Sequence, residues 1–274
     1  MALFFGRKKT EALGDKNSSE IAHNGTHKPT SFQPQKRPDG LNPNFVEHRA
    51  FDRYNFKDKR LCSLHIQNNV FEISSLSYGG LGINGDQELL PTQIRGAVLD
   101  ILGALCYLDM DRVHIQAGFT GYQFRHERAD SLLFLRRFLE SLRIGNTLTR
   151  ISKELLKDEL NNKDTIVMRG EGPCDLIYSL DEQKSNIKAV LITFLFEGNY
   201  VSCQYQSGIL TTAQRIDKSG AGSRMQPDAT ANLEIIRQAC LILLGIRNSE
   251  MRIMIQQFVE KALLVLRAGM EIAS

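Results

Sequence analysis

Apolar residues between positions 60 and 142 occur in short runs that turn-forming residues separate. Alternation of apolar and polar residues over 62–66 is typical of a half-buried strand, and Asn68-Asn69 is a suitable hairpin turn after it. The same reasoning predicts further strands at 70–76, 81–83, 94–105, 113–118 and 122–124. Several short strands in series predict an antiparallel β-barrel.

A helical pattern follows the predicted barrel. Asp130 can cap a helix that Gly145 ends. Apolar residues recur along this helix at helical spacing, at Leu132, Leu135, Phe138, Leu139 and Leu142. Because such a stripe has to be buried and the barrel is the nearest apolar surface, we expect the helix to pack on the barrel.

The second half of the chain mixes helices and strands. A short amphipathic helix is predicted from the spacing of Ile151, Leu155, Leu156 and Leu160. Strands are predicted at 166–169, 175–180, 187–196 and 200–205, and a Gly/Ser segment at 219–223 closes the strand region. Two helices follow, one at 228–245 and one capped by Ser249, whose apolar stripe contains Met251, Ile255, Phe258, Ala262 and Leu266. The pattern predicts an α+β domain that ends in a helical hairpin.

The first 44 residues show no apolar periodicity and are rich in Lys, Asn, Ser, Thr, Pro and Gly. Such a segment cannot bury enough apolar surface to offset the entropy of ordering its backbone, which predicts a flexible arm. Leu3, Phe4, Phe5 and the basic run at 7–9 leave a weak contact with an anionic membrane surface as an alternative. We therefore predict an arm at 1–44, a barrel domain at 45–146 and an α+β domain at 147–270.

Composition narrows the functional classes. The 274 residues are 42% hydrophobic and 24% charged, as in an ordinary globular protein, and they suffice for two domains. A formal net charge of +3 is too small to predict binding to a nucleic-acid polymer. Five cysteines without a CxxC spacing predict neither a disulfide framework nor a zinc site, which favours the cytoplasm. The apolar runs are shorter than the roughly 20 residues of a transmembrane helix, so none is predicted.

Candidate catalytic and metal-binding residues are few. Cys174 follows a Gly/Pro segment, and no later histidine is present to act as its base, so we interpret it as a partly buried cysteine beside a hairpin turn. The six histidines form no HExxH motif, and neither GxGxxG nor GxxxxGK[ST] occurs. We therefore predict no catalytic residue, no metal and no enzymatic activity. A catalytic site around Arg169, Glu171 and Asp175 is the alternative.

Two short motifs flank the first predicted hairpin. Arg49 and Arg53 form an RxxxR motif before the first strand, and Ser75, Ser77 and Gly80 form an SxSxxG motif where the second strand ends. Guanidinium groups are permanently charged, flat and fork-shaped, which suits them to phosphates and purines. Glycine lets the backbone bend and lets a ligand approach it closely.

Together these motifs resemble the two-part signature of the PilZ family, in which RxxxR is followed one hairpin later by [D/N]xSxxG. The resemblance covers residues 46–144 and implies a six-stranded antiparallel barrel with a following helix. It also implies binding of the bacterial second messenger cyclic di-GMP through Arg49, Arg53, Ser75, Ser77, Gly79 and Gly80. His48 is next to Arg49, which makes it either a further ligand contact or an ordinary surface histidine. The chain departs from the family pattern at Ser75, where a hydroxyl replaces a carboxylate or an amide.

The resemblance further implies a signalling receptor that changes its domain or partner contacts when the ligand binds. The processes that it implies are motility, surface attachment in biofilms, exopolysaccharide production and secretion. The predicted partners are cyclic di-GMP and a protein that contacts the C-terminal domain. Ser75 leaves one alternative open, a degenerate PilZ-like structural adaptor that binds no nucleotide and works by protein contacts.

Overall fold

The computed structural model describes residues 53–56, 60–84, 90–116, 118–125, 129–156, 164–183, 186–218 and 222–273. The predicted arm at 1–44 lies outside these ranges. The described residues belong to one compact unit, and they form two β-sheets and three α-helices. None of the three described helices is long and apolar enough to cross a bilayer.

The first sheet is a closed barrel. Its strands are β1 (Tyr54–Asn55), β2 (Cys62–Ile66), β3 (Asn69–Ser77), β4 (Gly80–Asn84), β5 (Gln93–Ile101), β6 (Ala104–Gln116) and β7 (Phe119–Arg125). Strands β2 to β7 pair antiparallel in the order β3-β2-β5-β6-β7-β4, and β4 pairs with β3, which closes a six-stranded barrel. The short β1 pairs with the end of β3 that β2 leaves uncovered. The predicted antiparallel barrel is therefore confirmed.

Alternation accounts for the barrel core and fails at two turns. The side chains of Leu64, Ile73 and Leu99 are completely buried inside the barrel. The predicted strand at 94–105 is instead two strands, because Leu102 and Gly103 form a turn with φ angles of 51° and 80°. An apolar residue at a left-handed position carries no turn signal, so the sequence reads as a continuous strand there. The first hairpin likewise turns at 67–68, one residue earlier than predicted.

The predicted helix after the barrel is α1 (Ala129–Asn146), and it buries Leu135, Phe138, Leu139 and Leu142 as expected. Phe138 meets Phe56 of the barrel, with ring centroids 5.9 Å apart. The larger contact of α1, which the sequence did not indicate, is with α2 (Leu233–Gly245). One helix therefore packs on both the barrel and the second half of the chain.

Helices α1 and α2 cross at a pair of glycines. A Cβ atom on Gly145 would collide with the carbonyl oxygen of Ile242 and lie 3.0 Å from Cα of Gly245. A Cβ atom on Gly245 would collide in turn with the carbonyl group of Leu142. Gly145 was predicted to end α1, but it lies within the helix, and its missing side chain permits the backbones to touch.

The second sheet is an antiparallel meander that two helices cover on one face. Its strands are β8 (Thr149–Arg150), β9 (Thr165–Arg169), β10 (Asp175–Leu180), β11 (Ile187–Phe196), β12 (Asn199–Gln206), β13 (Ile209–Lys218) and β14 (Gly222–Pro227), paired in chain order. The face that α2 and α3 (Arg252–Ala273) cover contains buried residues such as Leu176, Ile192 and Cys203. This arrangement confirms an α+β architecture, whereas the domain boundary after residue 146 stays a prediction.

The second half differs from the sequence prediction in its first helix and in its last strands. The predicted helix at 151–160 is only a 3₁₀ turn, Lys153–Leu155, because its stripe finds no core and Leu155 remains 79% exposed. Strand pairing continues through β13 and β14, beyond the predicted last strand. The predicted stripe is core, since Met251 in the 3₁₀ turn before α3 is buried, as are Phe258 and Ala262 of α3. The helical hairpin is confirmed.

A buried arginine ties α2 to the barrel. The Nε–H group of Arg237 donates a hydrogen bond to the carbonyl oxygen of Leu102 at 3.1 Å, and its guanidinium pairs with Glu234. The Arg237 side chain is 8% exposed, whereas that of Glu234 is 59% exposed. The strained turn between β5 and β6 is thus held by a donor from the second half of the chain.

Substituting Arg237→Ala is expected to lower the free energy of unfolding by about 2–4 kcal/mol, because the carbonyl of Leu102 loses its donor and a cavity remains. Urea denaturation followed by circular dichroism measures the change. The control Glu234→Gln should cost less than about 1 kcal/mol, because the pair is exposed on that side. Equal denaturation midpoints for Arg237→Ala and the unaltered chain would contradict this role.

Candidate functional site

The SxSxxG motif forms the tight turn between β3 and β4. Ser77 ends β3 and lies opposite Gly80, the first residue of β4. The Ser77 hydroxyl donates to the carbonyl oxygen of Gly80 at 3.1 Å, and the carbonyl oxygen of Gly79 accepts from the amide of Phe124 at 3.0 Å. Ser77 is 5% exposed, so its hydroxyl braces the turn and presents little surface to solvent.

Arg53 contacts Ser75. Strand β1 places Asn55 opposite Ser75, and the Nη1 group of Arg53 donates to Oγ of Ser75 at 3.2 Å. Two predicted ligand residues from separate motifs therefore meet at one end of β3. Arg49 and His48 lie outside the described residues, so their predicted roles stay predictions.

Gly80 has a structural reason to be glycine. A Cβ atom on Gly80 would collide with the carbonyl oxygen of Tyr122 and lie 3.2 Å from Cα of Gln123 on β7. Strands β4 and β7 could not pair at their present distance with a side chain there. The missing Cβ that was predicted to admit a ligand thus serves closure of the barrel.

The structure places an aromatic residue, Phe119, beside Ser75, which the sequence did not indicate. Gly82 on β4 lies directly opposite Gly121 on β7, and the Phe119 ring lies across both glycines. The position of a Cβ atom on Gly82 is 2.5 Å from Cζ of Phe119 and 2.9 Å from Oγ of Ser75. The exposed His114 lies next to this ring, and the centroids of the two rings are 6.3 Å apart. No local signal reveals this cluster, because it depends on the pairing of β4 with β7.

Helix α1 borders the turn of the motif. Burial raises the pKa of Tyr78, which is part of this turn, and the charges of Arg136 and Glu140 on α1 act on the same hydroxyl. The contact between Phe56 and Phe138 joins α1 to the segment that follows Arg53. Both halves of the predicted site are thus next to α1.

The candidate catalytic groups of the second half lie in a buried turn and in ion pairs. Cys174 lies at the turn between β9 and β10, as predicted, but it is buried, at 2% exposure, where partial burial was expected. Burial raises the pKa of its thiol to about 12, with Asp175 adding to the effect. Arg169 pairs with Asp175 at 2.7 Å, and Glu171 pairs with Arg143 of α1 at 2.5 Å. These groups serve ion pairs that join β9, β10 and α1. In the described ranges, His, Cys, Asp and Glu form no cluster of three that would hold a metal ion.

Comparison with known proteins assigns no family. No protein-family model matches the chain, and a search of curated proteins finds no match. The crystal structure of an uncharacterized Legionella protein is similar to 34% of this chain and 94% of its own, with 18% sequence identity and a TM-score of 0.29. At that TM-score, the similarity supports no conclusion about fold or function.

Proposed function

We propose that this chain is a PilZ-type receptor for cyclic di-GMP and that it signals by changing protein contacts without catalysing a reaction. The observation that carries the proposal is the hydrogen bond between Arg53 and Ser75, which joins the two halves of the resemblance on one end of β3. The barrel beneath them and the helix that follows are of the kind that the resemblance implies. In the proposal Arg49, Arg53 and Ser75 contact the ligand, and Ser77, Gly79 and Gly80 hold the turn that borders it.

The charge of Arg53 suits it to this ligand. A guanidinium group pairs with a phosphate oxygen or makes a bidentate contact with O6 and N7 of guanine. In the present structure, Oγ of Ser75 accepts from Nη1 of Arg53. A phosphate displaces a neutral hydroxyl from arginine more readily than it displaces a carboxylate, because the hydroxyl forms the weaker hydrogen bond. Serine in place of Asp therefore leaves a weaker competitor for the guanidinium group of Arg53.

Helix α1 offers a route from the ligand to the second half of the chain. Arg53 leads through β1 to Phe56, which contacts Phe138 of α1, and α1 packs on α2 at the glycine crossing. A ligand that draws Arg53 away from Ser75 would change the position of Phe56 on α1. In this proposal the protein acts in the cytoplasm, and a protein partner reads the change on the C-terminal domain.

Isothermal titration calorimetry tests the proposal directly. The unaltered protein should bind cyclic di-GMP, and Arg53→Ala should weaken binding at least about 100-fold, because loss of a charge-assisted contact costs about 3 kcal/mol. Arg215→Ala, which removes an arginine from β13 of the second sheet, is the matched control and should bind as the unaltered chain does. Absence of heat from the unaltered protein at high micromolar ligand would contradict the receptor and favour the structural adaptor.

A further inference from the structure

The Phe119 ring lies on the outer face of the barrel. On β7, Thr120 and Tyr122 are buried at 0% and 1% exposure, so alternation turns Phe119 and Gly121 to the opposite face. The ring is half-buried, and it rests on the glycine pair Gly82 and Gly121. A side chain at Gly82 would occupy the place of the ring, because its Cβ atom would lie 2.5 Å from Cζ of Phe119.

The Phe119 ring is one of several groups in a row on the barrel surface that could contact a ligand. Ser75, the hydrogen-bond partner of Arg53, and the Phe119 ring both come within 3 Å of the position that a Gly82 Cβ atom would take. His114 stands on the far side of the ring. A cation, a hydroxyl and two flat rings thus follow one another across the outer face. This order matches a purine nucleotide, whose phosphate needs a cation and whose base needs an aromatic surface.

We propose that Phe119 is the stacking platform for a guanine base of the ligand and that the glycine pair exists to seat its ring. This inference rests on the proposed function, since it assigns a base-binding residue to the same site. A base stacked on Phe119 has its sugar and phosphate beside Ser75 and within reach of Arg53. The glycine pair fixes the ring against the sheet, so little side-chain entropy is lost when the base stacks on it.

Substitutions at Phe119 separate stacking from packing. Phe119→Tyr retains the flat ring and should bind cyclic di-GMP within about threefold of the unaltered protein. Phe119→Leu retains an apolar side chain without a π-face and should lose about tenfold or more in affinity, the usual effect of removing one base-stacking ring. Calorimetry gives the affinities, and thermal melting checks that each variant is folded.

A fluorescence experiment tests the contact itself. The chain contains no tryptophan, so Phe119→Trp supplies a single reporter. Stacking of guanine on the indole should quench its emission as cyclic di-GMP is added. The control is Tyr200→Trp on β12 of the second sheet, where the same ligand should leave the emission unchanged.

The outcomes distinguish the platform from the receptor. Binding by the unaltered protein, together with Phe119→Leu binding within twofold of it, would overturn the platform and leave the receptor intact. Binding by Phe119→Trp without quenching would overturn the platform as well, even if Phe119→Leu failed to fold. Absence of binding by the unaltered protein and by every variant would overturn the receptor and the platform together.

Discussion

Substituting Gly145→Ala should lower the free energy of unfolding by about 3 kcal/mol or more, and Gly245→Ala should have a similar effect. Each new Cβ atom would enter the carbonyl group of the facing helix, that of Ile242 in one case and that of Leu142 in the other. Both carbonyls belong to the last turns of packed helices, where a backbone atom cannot move far unless the helix moves with it. The helices would have to separate, and the apolar contact between them would loosen. Thermal and urea denaturation measure the loss.

Gly269→Ala is the matched control for this prediction. Gly269 is also helical, but a Cβ atom there would meet only the flexible end of the Leu233 side chain, at 2.5 Å. Alanine is the better helix former by about 1 kcal/mol, which offsets the cost of moving that side chain. Its net effect should therefore stay below about 1 kcal/mol. Unfolding midpoints that are the same for Gly145→Ala, Gly245→Ala and the unaltered chain would show that α1 and α2 do not touch as described.

Gly80→Ala should destabilise the barrel by about 3 kcal/mol and should weaken ligand binding, because the turn that ends at this residue is displaced. The added Cβ atom would collide with the carbonyl oxygen of Tyr122, so β4 could no longer pair with β7 at this point. Because those two strands complete the barrel, the disturbance would reach the core around them. Circular dichroism melts, recorded with and without cyclic di-GMP, measure both effects.

Gly121→Ala provides the comparison on the same pair of strands. Its Cβ atom would lie 3.3 Å from Cβ of His114, a side-chain contact that a small shift can relieve. We expect a cost of about 1 kcal/mol, well below that of Gly80→Ala. A Gly80→Ala protein that melts normally and loses only ligand affinity would contradict the role of Gly80 in closing the barrel. It would show that this glycine admits the ligand.

The fold was predictable where apolar periodicity is regular. The predicted limits of β10 and β11 coincide with Asp175–Leu180 and Ile187–Phe196, because each strand has turn residues at both ends. The turn at Leu102 was missed although Gly103 is a turn former, since nothing marks the apolar residue before it for a left-handed conformation. Strands β13 and β14 were missed because their polar side chains obscure the alternation, and their pairing with β12 is what makes them strands.

Only those residues of the candidate site that belong to the two motifs were predictable from the sequence. Arg53 and Ser75 were assigned to one site from the sequence, because a single hairpin separates their motifs, and the structure adds the hydrogen bond between them. Phe119 could not be found in that way, since its place beside Ser75 follows from the long-range pairing of Gly82 with Gly121. The function of Gly80 was also hidden, because periodicity does not show how closely the backbone of Tyr122 approaches.

Because α1 packs on both the barrel and α2, the barrel is unsuitable for study as a separate fragment. A fragment cut after Asn146 would retain the barrel and its helix but lose α2, which covers residues such as Leu142. That apolar strip would then meet water, and such strips drive self-association. Binding studies on such a fragment would be affected by its self-association. The affinity for cyclic di-GMP therefore has to be measured on the intact chain.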